Sequence, residues 1–188
     1  MENGRGIMSC IIYMEEKVKI NNLAFIDGQN LHMGTKECGW KVDFAKFRIY
    51  LKDKYKVTDA YYFLGCKIEA QNDLYNNLRQ AGFITIFKEH GSDLATKKKG
   101  NVDTDLVFEI MKNLIDNNSF NKIIIVSGDG DYKRTINYLI RKDKFEKILF
   151  PNRKFASSLY YYLRARSFDC LENLKSYIQL ENINEKGS

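Results

Sequence analysis

The ten residues Lys122-Ile-Ile-Ile-Val-Ser-Gly-Asp-Gly-Asp131 constrain the chain more than any other stretch. Four β-branched residues in succession, Ile123 to Val126, predict a strand buried on both faces, as in a parallel sheet covered by helices. The strand ends abruptly at Ser127-Gly128-Asp129-Gly130-Asp131, where two glycines permit tight turning. Tyr132, Ile136, Leu139 and Ile140 then recur at helical spacing. Asp129 is therefore delivered to the carboxyl end of a strand, the edge at which open α/β sheets bind their ligands. Asp131 is open between a site role and capping of the following helix, whereas Asp129 precedes that cap position and is read as functional.

The same ending occurs earlier. Leu23-Ala24-Phe25-Ile26 is an apolar run closed by Asp27-Gly28-Gln29-Asn30. Asn30 is open between lining the site and capping a helix that starts at Leu31. An amphipathic segment through Phe44, Phe47, Leu51 and Tyr55 reads as a first crossover helix. A strand over Asp59–Leu64, a helix carrying Leu74, Tyr75 and Leu78 that stops at Gly82, and a strand over Phe83–Phe87 follow. Alternating strands and helices predict right-handed βαβ units, hence a parallel sheet.

A helix over Val102–Ile115 places Asp103, Val107, Ile110 and Leu114 on one face and Asp105, Glu109, Lys112 and Asp116 on the other. A crossover helix runs antiparallel to the strands, so Asp103, in its first turn, points toward the edge that holds Asp27 and Asp129, and Asp105 toward water. Carboxylates gathered at one edge repel one another, and a divalent cation relieves that penalty. With no His or Cys clustered beside them, hard oxygen ligands suit Mg²⁺ or Mn²⁺. The expected metal ligands are Asp27, Asp103 and Asp129.

Three groups of residues, Phe25 to Asn30, Lys99 to Leu106 and Val126 to Tyr132, resemble in order and spacing the three motifs of the NYN domain family, the LabA-like branch of the PIN-like nucleases. The resemblance spans about residues 21–172. It implies a three-layer α/β/α PIN-like sandwich whose central parallel sheet has strand order 3-2-1-4-5, and a Mg²⁺- or Mn²⁺-dependent ribonuclease acting on RNA, with Asp27, Asp103, Asp129 and Asp131 in the catalytic acidic cluster and Asn30 beside it. Phe155 to Leu159 and Phe168 to Leu171 resemble the closing helix and strand of that family. The chain departs from the family where Arg166-Ser167-Phe168-Asp169 precedes the end of the domain, and where Asn101 is inserted between Gly100 and Val102.

The remaining features set bounds. A chain of 188 residues, 44% of them hydrophobic, buries one sizeable core, and its single proline leaves no Pro-rich linker. The domain is expected over residues 21–182, with an N-terminal extension over 1–20 and a tail over 183–188. The four cysteines lie far apart without a C-x-x-C pair, which argues against zinc and for reduced thiols in the cytoplasm. No run is long enough to cross a membrane. A formal net charge of +6 fits a polyanionic partner, and Lys97, Lys98, Lys99, Lys133 and Arg134 flank the acidic turns as expected phosphate contacts. The sequence is compatible with a homo-oligomer or an inhibitory protein partner and specifies neither. Two other readings compete: a nucleic-acid-binding regulatory module with little turnover, and a haloacid dehalogenase-like phosphohydrolase. The latter normally requires a second carboxylate two residues after the first, where this chain has Gln29.

Overall fold

A computed structural model of the chain describes residues 20–88, 102–116 and 119–181. Its centre is a six-stranded sheet in the order β3-β2-β1-β4-β5-β6, with every neighbouring pair parallel. The strands are β1 (Asn22–Asp27), β2 (Val57–Leu64), β3 (Ile84–Phe87), β4 (Ile123–Val126), β5 (Phe145–Phe150) and β6 (Phe168–Cys170). The expected five-strand order is present, and β6 extends it beyond β5.

All six residues of β1 and all four of β4 are buried. Because side chains alternate across a strand, the two strands feed two separate cores. Ala24, Ile26, Ile124 and Val126 pack on one face with Leu31, Phe47, Leu51 and Leu78. Those partners come from helices α1 (Gly28–Glu37), α2 (Phe44–Tyr55) and α3 (Asn72–Gln80). Leu23, Phe25, Ile123 and Ile125 pack on the other face with Leu106, Ile110, Ile136 and Leu139, from α4 (Asp103–Asp116) and α5 (Lys133–Arg141). A short α6 (Lys175–Ile178) closes the first layer, with Ile178 buried there. The result is a three-layer α/β/α sandwich.

The register of the two central strands positions the site. Ile26 of β1 lies opposite Val126 of β4, so Asp27 and Ser127 leave the sheet side by side at its carboxyl edge. Asp27 caps α1 by accepting the Asn30 backbone N–H at 2.9 Å. The helix thus begins at Gly28, three residues before the start expected at Leu31, and Asn30 lies in its first turn instead of at the cap. Gly28 is required by space: a Cβ there would lie 2.6 Å from the Phe63 carbonyl oxygen.

Other expectations shift for similar local reasons. The buried line of α4 runs through Leu106, Ile110 and Asn113, with Val107 and Leu114 only partly buried. Tyr132, Ile136 and Leu139 are buried as their spacing predicts, but Ile140 is 45% exposed. The segment similar to a closing helix forms a 3-10 turn over Ser158–Tyr160, held by the Ser157 N–H donating to the Gly128 carbonyl at 2.9 Å and capped by the Ser157 side chain. Among the described residues Cys38, Cys66 and Cys170 form no disulfide. No helix among the described residues is long and apolar enough to cross a membrane.

Candidate active site

At the carboxyl edge of β1 and β4 lies a cleft of about 270 Å³ whose walls include Asp27, Gln29, Asn30, Asp103 and Asp129. Each arrives on a different piece of local structure. Asp27 ends β1, Asn30 stands in the first turn of α1, Asp103 opens α4, and Asp129 follows β4. Right-handed crossovers bring the amino ends of α1 and α4 to this one edge.

Asp103, Asp129 and Asp131 each offer a carboxylate oxygen, and these atoms lie within 4.8 Å of one another; no other group of this kind occurs among the described residues. Asp103 and Asp129 are half-buried and Asp131 is exposed. Asp27 lines the same cleft but is outside this close group, whose third member is Asp131, where the sequence pattern pointed to Asp27. Asp129, and not Asp131, is the residue that caps the following turn: its Oδ1 accepts the Asp131 N–H at 3.0 Å. The cap fixes the Asp129 rotamer, and Asp131 is carried in the 3-10 turn Gly130–Tyr132 that precedes α5.

Asp27 is held from three sides. Its Oδ1 takes the Asn30 N–H, and its Oδ2 faces the Ser127 hydroxyl at 3.4 Å and the Tyr132 hydroxyl at 3.3 Å. Burial pushes its pKa above the ordinary carboxylate value, and the neighbouring charge of Asp103 adds to the rise, against the lowering effect of the hydrogen bonds. Tyr132 stands between two carboxylates, since its hydroxyl also donates to Asp103 Oδ1. One phenolic proton serves one acceptor at a time, so Tyr132 couples the two aspartates. Burial and then the Asp27 charge push the Tyr132 pKa upward, which keeps the group a neutral donor. Asn30 joins the two halves of the site: its side-chain oxygen accepts the Gly128 N–H at 2.8 Å.

Residues 155–160 complete the surround. The Tyr160 hydroxyl donates to the Asp129 carbonyl, and Phe155 forms part of the cleft wall. Gly128 and Gly130 lack positive φ. Their role is clearance: a Cβ on Gly128 would lie 2.6 Å from the Phe155 carbonyl carbon, and one on Gly130 2.6 Å from Ser157 Oγ. Tyr132 enters the sequence reading as the last residue of the third motif and as a helix-face residue, without its hydroxyl's role, and nothing in the pattern marks Tyr160. Ser127, by contrast, sits inside the motif itself.

The remaining predicted residues lie farther out. Asp105 is half-buried and lines a shallow cleft with Ile86, Phe87 and Glu109 on the other side of α4, so it meets the β3 edge in place of open water. Lys133 lies in the first turn of α5 with its ammonium 5.4 Å from the Tyr162 ring centre. Arg134 is exposed beside it. Lys97, Lys98 and Lys99 lie outside the described residues. Among the described residues neither Asp129 nor Asp131 is ion-paired with a basic side chain, and an all-carboxylate donor set of this size fits a hard divalent cation.

Comparison with known proteins bears on the family and the fold. The chain is 24% identical over 144 residues to the low amplitude and bright protein LabA of Synechococcus elongatus, covering 72% of this chain and 76% of that protein. Its fold is similar to that of a crystal structure of a Vibrio parahaemolyticus protein of unknown function, with a TM-score of 0.72 at 19% identity, over 89% of this chain and all of that one. The model of the NYN domain matches residues 23–164. That match runs from the first residues of β1 to the segment beyond Tyr160, and so takes in every element that shapes the acidic cleft: the chain belongs to the NYN domain family.

Proposed function

We propose that this protein is a metal-dependent ribonuclease that hydrolyses RNA phosphodiester bonds with Mg²⁺ or Mn²⁺ held at the acidic cleft. The observation that carries the reading is the convergence of Asp103, Asp129 and Asp131, with oxygens within 4.8 Å, at the carboxyl edge of a parallel sheet. Membership of the NYN family supports a nuclease, and the net charge of +6 supports a polyanionic substrate. Asp103, Asp129 and Asp131 would hold the ion, with Asp27 and Asn30 beside them. A divalent cation there would activate water for attack at phosphorus and offset charge on the departing oxygen.

The residues of the chain divide the remaining work. Asp129 is oriented by its cap to the Asp131 N–H, and Asp103 by the Tyr132 hydroxyl. Asp27, with its pKa raised by burial, is tuned toward the range in which a carboxylate can take a proton from water. Asn30 ties its helix to the 127–129 turn, so the two strand ends keep their spacing. Lys133 and Arg134 would contact flanking phosphates.

Labelled RNA, single-stranded DNA and p-nitrophenyl phosphate, incubated side by side with Mg²⁺, Mn²⁺ or EDTA, test the reading. The expected outcome is cleavage of RNA that depends on the metal and stops in EDTA. Binding of RNA without cleavage under every metal condition would assign the fold to a regulatory module instead. Hydrolysis confined to the monoester would favour a phosphohydrolase.

A further inference from the structure

A second concave surface shares no lining residue with the acidic cleft. It is a groove of about 910 Å³ whose walls carry Lys54, Lys122, Arg141, Lys147, Arg164 and Arg166 against two carboxylates, Asp143 and Glu146. The whole chain has 30 basic and 24 acidic residues, so the excess inside the groove is well above the average for the surface. The lysines are tied down: Lys122 pairs with Asp143, and Lys54 and Lys147 both pair with Asp169 at 3.5 and 2.9 Å. The arginines have no such partner among the described carboxylates, although the Arg141 guanidinium lies 5.7 Å from the Tyr138 ring centre. Among the described residues Arg141, Arg164 and Arg166 form no ion pair with a carboxylate, and all three are exposed. Planar guanidinium groups held at the rim of a groove match the bidentate geometry of phosphate oxygens.

One end of the groove connects to the cleft through the 160–162 segment. Tyr160 donates its hydroxyl to the Asp129 carbonyl, and Tyr162, two residues on, lines the groove. From the other side Lys133, two residues after Asp131, reaches over the Tyr162 ring. Lys122 and Asp143 lie at the opposite end, beside the amino termini of β4 and β5. The four residues of β4 rise about 13 Å between the two edges of the sheet. Tyr162 is 46% exposed, so its ring is open to solvent at the end of the groove where Lys133 reaches it.

We propose that this groove is the track for a single-stranded nucleic acid running away from the acidic cleft, with its phosphates on Arg141, Arg164 and Arg166 and a base stacked on Tyr162. The assignment rests on the ribonuclease reading only for the identity of the polyanion. A basic groove paired with exposed aromatic rings is the arrangement that binds single strands with little sequence preference.

The test measures binding of a short labelled single-stranded RNA to the full chain by fluorescence anisotropy in EDTA, so that hydrolysis does not intrude, across a salt series. In the combined variant Arg141→Gln, Arg164→Gln and Arg166→Gln we expect affinity to fall about tenfold or more. The slope of log affinity against log salt should flatten by about two, at roughly 0.7 per lost phosphate contact on a single strand. Tyr162→Ala should weaken binding about five- to hundredfold with the slope kept, since it removes stacking and no charge. Circular dichroism should be unchanged, because the altered side chains are exposed. A combined variant with the parental salt slope overturns the groove, and if the parent cleaves RNA with Mn²⁺ the hydrolytic reading still stands. A parent that binds through these arginines and cleaves nothing supports the groove and overturns the hydrolytic reading alone. Loss of poly-glutamate binding in the variant, with RNA binding intact, would overturn the proposal in favour of an acidic protein partner.

Discussion

Asp103 and Asp105 are separated by about 200° around α4, and the structure turns that angle into two different environments. Asp103 faces Tyr132 and the carboxylates of the cleft; Asp105 faces Ile86 and Phe87 at the β3 side. If Asp103 is a ligand, Asp103→Asn should lower RNA turnover by about 10²-fold or more at saturating Mn²⁺. Asp105→Asn should remain within a few-fold of the parent. The comparison is made by single-turnover cleavage with both variants confirmed folded, and an inactive Asp105→Asn beside an active Asp103→Asn would sink the assignment. Helical periodicity made this separation legible in the sequence. It did not make Tyr132 legible, because a tyrosine on a buried helix face looks the same whether its hydroxyl reaches a carboxylate or only a carbonyl. Nor did it decide which aspartate caps the turn after β4, since both Asp129 and Asp131 have the required chemistry and only the backbone path separates them.

At the scale of elements, β1 and β4 were readable because uninterrupted β-branched and apolar runs can be buried only between two layers of helices. α1 was harder to read. Its sequence, Gly-Gln-Asn-Leu-His-Met-Gly-Thr-Lys-Glu, has little apolar character, and its buried contacts rest on Leu31, Thr35 and two glycines. The 155–160 segment was read through the family's closing helix, yet its conformation is set by long-range bonds to Gly128 and Asp129, which no local pattern announces. That segment also explains Gly128, which is glycine for clearance and not for turning. Gly128→Ala should therefore push Phe155 away and destabilise the fold by about 1–3 kcal/mol, the usual cost of overpacking. Chemical denaturation reads this directly, and cleavage should fall with it because Asp129 is adjacent. A variant as stable as the parent would show that the 155–160 segment is free to move off the turn.

Across the whole molecule, a chain of net charge +6 gathers four of its 24 acidic residues at one sheet edge, and this sets how stability should respond to pH and metal. The folded-state pKa of Asp27 is raised above 3.8, chiefly by burial. Between that value and the raised one, the native state holds more protons than the unfolded state, so stability falls as pH rises through the window. At neutral pH the cost is fully present; below about pH 3.8 it is gone. In EDTA at pH 7, Asp27→Asn should thus melt at or above the parent temperature, and the difference should vanish as pH drops below the window. A lower melting point for that variant at pH 7 would mean that the bonds from Asn30, Ser127 and Tyr132 outweigh the desolvation of the charge. Cation binding should act in the opposite direction on the parent. An ion that binds only the native state adds about 2.7 kcal/mol at a hundredfold excess over its Kd, equivalent to about 5–10 °C in Tm for a chain of this size. Scanning calorimetry with Mn²⁺ should show that rise in the parent and lose most of it in Asp129→Asn, which removes an oxygen donor from the close group while Asp27 and Tyr132 keep their bonds. If millimolar Mn²⁺ leaves the melting point of the parent unmoved, the cluster holds no ion in the folded protein, and the metal-dependent mechanism fails with it.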